Sequence, residues 1–140
     1  MADAGFVDKD GDGFVEDPKG NQFSLKYLAT SGTDVAEPIA QYYVDSWKQV
    51  GINVELYEGR LHEFNSFYDL LGTDADIDVF SAAMGFGGDP NPAFMFGRNA
   101  QFNYMRYASD QNDSLLKDIR SDASFDANYR KEAFKKWQEF

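Results

Sequence analysis

The fold class follows from one stretch of the sequence, Gln41-Tyr-Tyr-Val-Asp-Ser-Trp-Lys-Gln-Val-Gly-Ile-Asn-Val-Glu-Leu56. Its first half belongs to a helix whose apolar stripe is Ala36, Ile39, Ala40, Tyr43, Trp47 and Val50. Gly51 then offers a natural helix end. Over residues 52–57 apolar and polar residues alternate, which predicts a strand with one buried face. A helix that leads directly into a strand is typical of an α/β domain.

The neighbouring segments extend this pattern on both sides. Upstream, residues 23–29 alternate as a strand, and Thr33 or Asp34 is predicted to cap the helix that follows. Downstream, an amphipathic helix is predicted over residues 61–71. A strand apolar enough to be buried on both faces is predicted over residues 77–84. The resulting order is β-α-β-α-β, which implies a mainly parallel sheet.

The last third of the chain is predicted to be helical. Residues 94–107 form an irregular aromatic stretch, and two further helices are predicted near residues 112–122 and 125–140. No internal repeat and no linker divides the sequence. Because 140 residues suffice for one hydrophobic core, we expect a single α/β domain over residues 1–140.

Composition excludes several classes of partner and site. A formal net charge of −11 argues against nucleic acid and anionic membranes as partners. The absence of cysteine excludes disulfides, thiolate zinc sites and cysteine nucleophiles. No apolar run approaches the roughly 20 residues that span a bilayer. The first residues contain no basic region followed by an apolar stretch, so we expect either a cytoplasmic protein or a signal peptide that lies outside this sequence.

A possible cation site is encoded near the start of the chain by Asp8-x-Asp10-x-Asp12-Gly13. Three carboxylates at alternate positions before a glycine can surround one hard cation with oxygen ligands. An EF-hand would place a bidentate glutamate where this chain has Lys19, so Glu16 or Asp17 would have to supply that oxygen. The alternative is a calcium-free turn held by Asx hydrogen bonds. The predicted ligands of a structural calcium ion are Asp8, Asp10, Asp12, Phe14 (through its carbonyl) and Asp17.

A possible ligand site is encoded by Gly85-Phe-Gly-Gly-Asp-Pro-Asn-Pro92, which follows the third predicted strand. The carboxyl ends of parallel strands are where open α/β sheets bind ligands. Glycines there allow a ligand backbone to approach closely, and the Asp89 carboxylate can pair with an ammonium group. The alternative role for Asp89 is the N-cap of a helical segment beginning at Asn91, and Phe86 is either a pocket wall or core. The predicted ligand-binding residues are Gly85, Phe86, Gly87, Gly88 and Asp89.

The sequence shows little sign of catalysis. Its single histidine, His62, is interpreted as an exposed polar residue early in a helix, and no serine lies in a nucleophile elbow. Asp74, Asp76 and Asp78 are interpreted as a solvated turn. We therefore expect a protein that is not an enzyme.

Four segments together resemble one family, the extracellular solute-binding proteins of family 5, which includes oligopeptide, dipeptide and nickel receptors. They comprise the glycine-aspartate loop before the first strand, a helix-to-strand junction, the next helix and strand, and the glycine-aspartate-proline loop. These segments are residues 4–20, 41–56, 64–79 and 85–92. The resemblance covers almost the whole chain.

The resemblance implies a periplasmic-binding-protein type II fold, with this chain as part of the larger C-terminal lobe. It implies the receptor component of an ABC importer, located in the periplasm or on the cell surface as a lipoprotein. Such a receptor binds oligopeptides between two lobes and delivers them to permease subunits without any required cofactor. In peptide-binding members an aspartate of the glycine loop holds the peptide's ammonium group, and Asp89 is the matching position. A basic residue and a tryptophan found just upstream in some members are replaced here by Ala83 or Met84 and by Phe86.

Two other classes of function compete with this interpretation. One is a calcium-stabilised extracellular module for adhesion or scaffolding, which would bind calcium and ignore peptides. The other is a hydrolase, which would turn peptides over.

Overall fold

A computed structural model of the protein describes residues 1–73, 76–85 and 87–140. These residues form two compact units, Met1–Ala83 and Met84–Phe140. The expectation of a single domain over residues 1–140 stays a prediction, and each unit is described by itself.

The first unit contains a parallel three-stranded sheet. Its strands are β1 (Ser24–Leu28), β2 (Asn53–Leu56) and β3 (Val79–Phe80), in the spatial order β2-β1-β3. β1 pairs in parallel with both neighbours. The predicted α/β class with a mainly parallel sheet is therefore confirmed.

Two α-helices accompany this sheet, α1 (Ala36–Lys48) and α2 (Phe64–Leu71), with short 3-10 turns at Ala2–Ala4 and Tyr57–Gly59. The buried core between α1 and the sheet consists of Tyr27, Ala29, Ala40 and Val54. The predicted stripe of α1 is only partly buried, because Ile39 at one end is 47% exposed and Val50 beyond the other end is 63% exposed.

Two predicted helix starts were wrong. The residue before α1 is Val35, which provides no side-chain cap, so neither Thr33 nor Asp34 holds that position. The second helix begins at Phe64 rather than near residue 61, because the Glu63 side chain accepts hydrogen bonds from the first-turn backbone at Asn65 and Ser66.

The third strand is much shorter than the predicted strand over residues 77–84. It comprises Val79–Phe80, both half-buried, opposite Tyr27 and Leu28 at the very end of β1. The apolar run continues beyond Phe80, but β1 ends at Leu28 and offers no further partner. Strand length is thus limited by the available neighbour.

His62 is buried, with 1% of its surface exposed, so its interpretation as an exposed helix residue was wrong. It pairs in parallel with Thr30 beyond the end of β1. Its amide donates to the Ala29 carbonyl at 2.9 Å, and its carbonyl accepts from the Ser31 amide at 2.7 Å. The ring nitrogen Nε2 lies 3.2 Å from the Tyr57 carbonyl oxygen. The residues before α2 therefore extend the sheet instead of starting the helix.

The second unit is helical, with α3 (Ala93–Phe96), α4 (Asp110–Ile119) and α5 (Ala127–Gln138), and a 3-10 turn at Asp122–Phe125. The two predicted C-terminal helices are confirmed as α4 and α5. Buried Asn112 ties the three helices together, since its Nδ2 donates to the Phe96 carbonyl and its Oδ1 accepts from the Trp137 indole N–H. Within the described residues, no helix has the length and apolarity that a membrane crossing requires.

Candidate ligand-binding and cation sites

Asp89 lies on an exposed loop of the second unit, and 66% of its side chain is exposed. Its Oδ1 accepts a hydrogen bond from the Asn91 amide at 3.2 Å. The residue before α3 is Pro92. The amide of Ala93, the first helical residue, donates a hydrogen bond to Asn91 Oδ1 at 3.0 Å. Asp89 therefore does not cap α3, and the N-cap interpretation of this residue was wrong.

The described glycines around Asp89 are not demanded by backbone conformation or by packing. Gly85, Gly87 and Gly88 are absent from the residues with positive φ. A Cβ atom added at any of the three would meet no heavy atom within 4 Å. At Gly97 the same atom would lie 2.7 Å from the Ala93 carbonyl oxygen. Among the described residues, packing therefore requires a glycine at position 97 but not at positions 85, 87 and 88.

Arg130 of α5 is the cationic partner of Asp89. Its Nη2 donates to Asp89 Oδ1 at 2.7 Å. The guanidinium also lies over the Phe134 ring, 5.4 Å from the ring centroid, and 39% of the Arg130 side chain is exposed. Sequence reasoning missed this residue, because 41 positions separate it from Asp89 and no local pattern joins the two.

A polar cavity of about 280 Å³ lies beside this ion pair. Its charged lining residues are Asp89, Arg120, Asp122 and Arg130. Phe125 on its rim is 93% exposed. The cavity therefore offers both signs of charge and one exposed aromatic ring. Phe86, predicted as a wall of the ligand site, lies outside the described residues.

In the first unit, four carboxylates converge, with one oxygen from each lying within 4.8 Å of the others. They belong to Asp8, Asp10, Asp12 and Glu16. The loop's own backbone holds them in place. Asp8 accepts from the Gly11 and Gly13 amides at 2.6 and 3.0 Å, and buried Glu16 accepts from the Lys9 amide at 2.6 Å.

The structure brings Glu16, rather than Asp17, to the three aspartates. Asp17 instead closes a separate turn, where Oδ1 accepts from the amides of Lys19 and Asn21 and Oδ2 accepts from the Asn21 side chain. These hydrogen bonds, the Asn21 side chain foremost, lower the pKa of Asp17. The ring of Phe14 lies under the Lys48 ammonium at 5.7 Å, while its carbonyl as a cation ligand stays a prediction.

The remaining carboxylates singled out by sequence lie near β1. Asp78 accepts from the Lys26 amide at 2.8 Å, and Asp76, 78% exposed, forms an ion pair with the Lys26 side chain. Asp74 lies outside the described residues. These two carboxylates thus connect the residues just before β3 to Lys26 of β1.

An apolar cavity of about 180 Å³ lies between α1 and the sheet of the first unit. Aromatic and aliphatic side chains dominate its lining, which includes Tyr27, Tyr43, Trp47, Val54, Val79 and Phe80. Burial is the main cause that raises the pKa of Tyr27, with a smaller contribution from Tyr43. The sequence pattern assigned these residues to the core, and it gave no sign of a gap among them.

Comparison with known proteins identifies relatives across most of the chain. The bacterial extracellular solute-binding proteins, family 5 Middle, match residues 1–105. The oligopeptide-binding protein OppA of Lactococcus lactis is 37% identical over 123 residues, which are 86% of this chain and 20% of OppA. The oligopeptide-binding protein AppA of Bacillus subtilis is 26% identical over 125 residues, 86% of this chain and 22% of AppA. The chain thus spans about one-fifth of the length of these curated relatives.

Two solved structures resemble this fold. Lactococcal OppA, complexed with an endogenous peptide in the closed conformation, has a TM-score of 0.89 at 33% identity, covering 97% of this chain and 26% of OppA. AppA of Bacillus subtilis, in complex with a nonapeptide, has a TM-score of 0.80 at 26% identity, covering 99% of this chain and 27% of AppA. The predicted periplasmic-binding-protein type II fold is confirmed. The chain belongs to the bacterial extracellular solute-binding proteins of family 5.

Proposed function

We propose that this chain is part of the peptide-binding receptor of an ABC importer, and that Asp89 holds the peptide's terminal ammonium group. The observation that carries the proposal is an exposed carboxylate on a loop whose described glycines the fold does not require. Named oligopeptide-binding proteins at 37% and 26% identity support the peptide as the class of ligand.

The chemistry of the loop suits the end of a peptide. An ammonium group enclosed against Asp89 gains a charge-assisted hydrogen bond, which contributes about 1.5–3 kcal/mol. Gly87 and Gly88 leave the backbone beside Asp89 open, so a peptide backbone can approach without meeting a side chain. The polar cavity next to Asp89 offers space for the first residue of the ligand.

The wider biology follows from the same proposal. The protein acts outside the cytoplasm, in the periplasm or as a cell-surface lipoprotein. It binds a peptide, closes over it and delivers it to permease subunits in the membrane, with no bond made or broken. Acid-base catalysis has no part in this scheme.

The experiment is a calorimetric comparison of two forms of one peptide, measured on the protein expressed from its complete reading frame. A peptide with a free amino terminus is expected to bind at least about tenfold more tightly than its N-acetylated form, since acetylation removes the charge that Asp89 would hold. Equal affinity for both forms would contradict the role of Asp89. Calcium binding without any response to peptides would instead favour the adhesion or scaffold alternative.

The acidic loop of the first unit is proposed as a structural calcium site. Asp8, Asp10, Asp12 and Glu16 supply hard oxygen ligands within one small volume, which suits calcium better than a softer metal. Glu16 replaces Asp17 in this proposal because the Asp17 carboxylate is committed to the turn with Asn21. The ion would stabilise the fold and has no direct role in peptide binding.

A further inference from the structure

We infer that Arg130 competes with a peptide's ammonium group for the Asp89 carboxylate. Through this competition Arg130 tunes how strongly the site prefers peptides with a free amino terminus. The inference rests on the proposed function of Asp89. It adds a residue on a separate helix, α5, that neither sequence pattern nor family resemblance assigns.

The contact between the two side chains carries the inference. Arg130 Nη2 lies 2.7 Å from Asp89 Oδ1, the distance of a charge-assisted hydrogen bond. A primary ammonium seeks the same carboxylate oxygens and carries the same charge as the guanidinium. Any ligand that uses Asp89 in this way therefore meets an arginine already bound there.

The ion pair is also exposed enough for an ammonium group to replace the arginine. The Arg130 side chain is 39% exposed and the Asp89 side chain is 66% exposed, so water and salt screen their attraction. Arg130 keeps a second favourable contact after displacement, because its guanidinium lies over the ring of Phe134 on the same helix. Displacement therefore leaves neither charge buried without a partner.

Competition of this kind predicts a gain on removing the arginine. An exposed ion pair of ordinary strength lowers the affinity of a competing ammonium by up to about fivefold. A peptide whose amino terminus is acetylated does not compete for Asp89, and Arg130 leaves its affinity unchanged. The arginine thus narrows the preference between the two forms of the peptide.

The test uses the protein from its complete reading frame and the same pair of free and N-acetylated peptides. In Arg130→Gln, affinity for the free peptide is expected to rise about two- to fivefold, with no change for the acetylated form. Arg130→Met, which keeps an apolar contact with Phe134, should show the same gain. A matched control is Arg98→Gln, which removes an arginine from an exposed pair with Asp110 and Asp113 in the same unit. This control should change neither affinity.

The outcomes separate this inference from the function on which it rests. If the free and acetylated peptides bind equally to the unmodified protein, the role of Asp89 fails, and the inference fails with it. If the unmodified protein prefers the free peptide, but neither Arg130 variant binds that peptide more tightly than the unmodified protein does, the role of Asp89 survives and the competitor role of Arg130 is overturned. Weaker binding of the free peptide by both Arg130 variants would show that Arg130 contacts the ligand directly.

Discussion

Two loops of this protein both combine glycine, aspartate and proline, and they use these residues differently. In the acidic loop of the first unit, Gly11 and Gly13 have φ values of 81 and 95°, a region that residues with a side chain rarely adopt. In the loop around Asp89, the three described glycines have no positive φ and no close neighbour.

The carboxylates of the two loops differ in the same way. Those at Asp8, Asp12 and Glu16 accept hydrogen bonds from backbone amides of their own loop. Asp89 accepts one hydrogen bond from the nearby Asn91 amide and another from the side chain of Arg130, 41 residues away. In the first loop these carboxylates are held by hydrogen bonds within the loop, whereas Asp89 also contacts a residue of a separate helix. This contrast supports the proposals of ligand binding at the second loop and of a structural cation at the first.

Calcium provides the largest expected effect on the first loop. Because the ion binds the folded state, a concentration one hundred times the dissociation constant stabilises the protein by about 2.7 kcal/mol. We expect the melting temperature to rise in excess calcium and to fall in chelator. Glu16→Gln should abolish most of this response, since Glu16 lies among the aspartates.

The control for the calcium experiment is Asp17→Asn. Its carboxylate is held by Lys19 and Asn21, so the calcium response should persist in this variant. A melting temperature that ignores both calcium and chelator would leave the loop as a turn held by its own hydrogen bonds. A response lost in Asp17→Asn and kept in Glu16→Gln would reverse the ligand assignment.

A pair of alanine substitutions sharpens the comparison with a smaller effect. Gly13→Ala forces a side chain into the left-handed region, at a cost of about 1–2 kcal/mol in the free energy of unfolding. Gly87→Ala should cost less than about 0.5 kcal/mol, because the position is exposed and unstrained. Urea denaturation of both variants measures the difference.

Peptide affinity should show the opposite order for the same two variants. The new methyl group at position 87 stands where a peptide backbone is expected, whereas the one at position 13 lies in the structural loop. Equal stability losses in the two variants, with no effect of Gly87→Ala on peptide affinity, would remove the distinction between the loops.

Sequence patterns predicted the elements of the fold better than their extents. The alternation over residues 52–57 and the helical stripe before it correctly indicated β2 and α1, because both signals are local. The third strand was overpredicted, since an apolar run reveals burial but not the length of the neighbouring strand. His62 was misplaced for a related reason, as its pairing with Thr30 joins residues 32 positions apart in the sequence.

The candidate sites were predictable only where their residues lie close in sequence. Alternate aspartates before a glycine identified most of the acidic cluster, yet the choice between Glu16 and Asp17 depended on which side chain the loop turns inward. Asp89 stood out from its glycines and prolines. Its partner Arg130 did not, because their contact depends on how α5 packs within the second unit.

The most direct test of the central claim is the peptide affinity of Asp89→Asn, measured on the protein from its complete reading frame. Asparagine keeps the shape and removes the charge, so affinity for a peptide with a free amino terminus should fall about ten- to a hundredfold, with little change in melting temperature. The matched control is Asp110→Asn, another exposed carboxylate paired with an arginine, which should change neither quantity. Unchanged affinity in Asp89→Asn, with a drop in melting temperature, would show that Asp89 is a structural residue of its loop and would contradict the account.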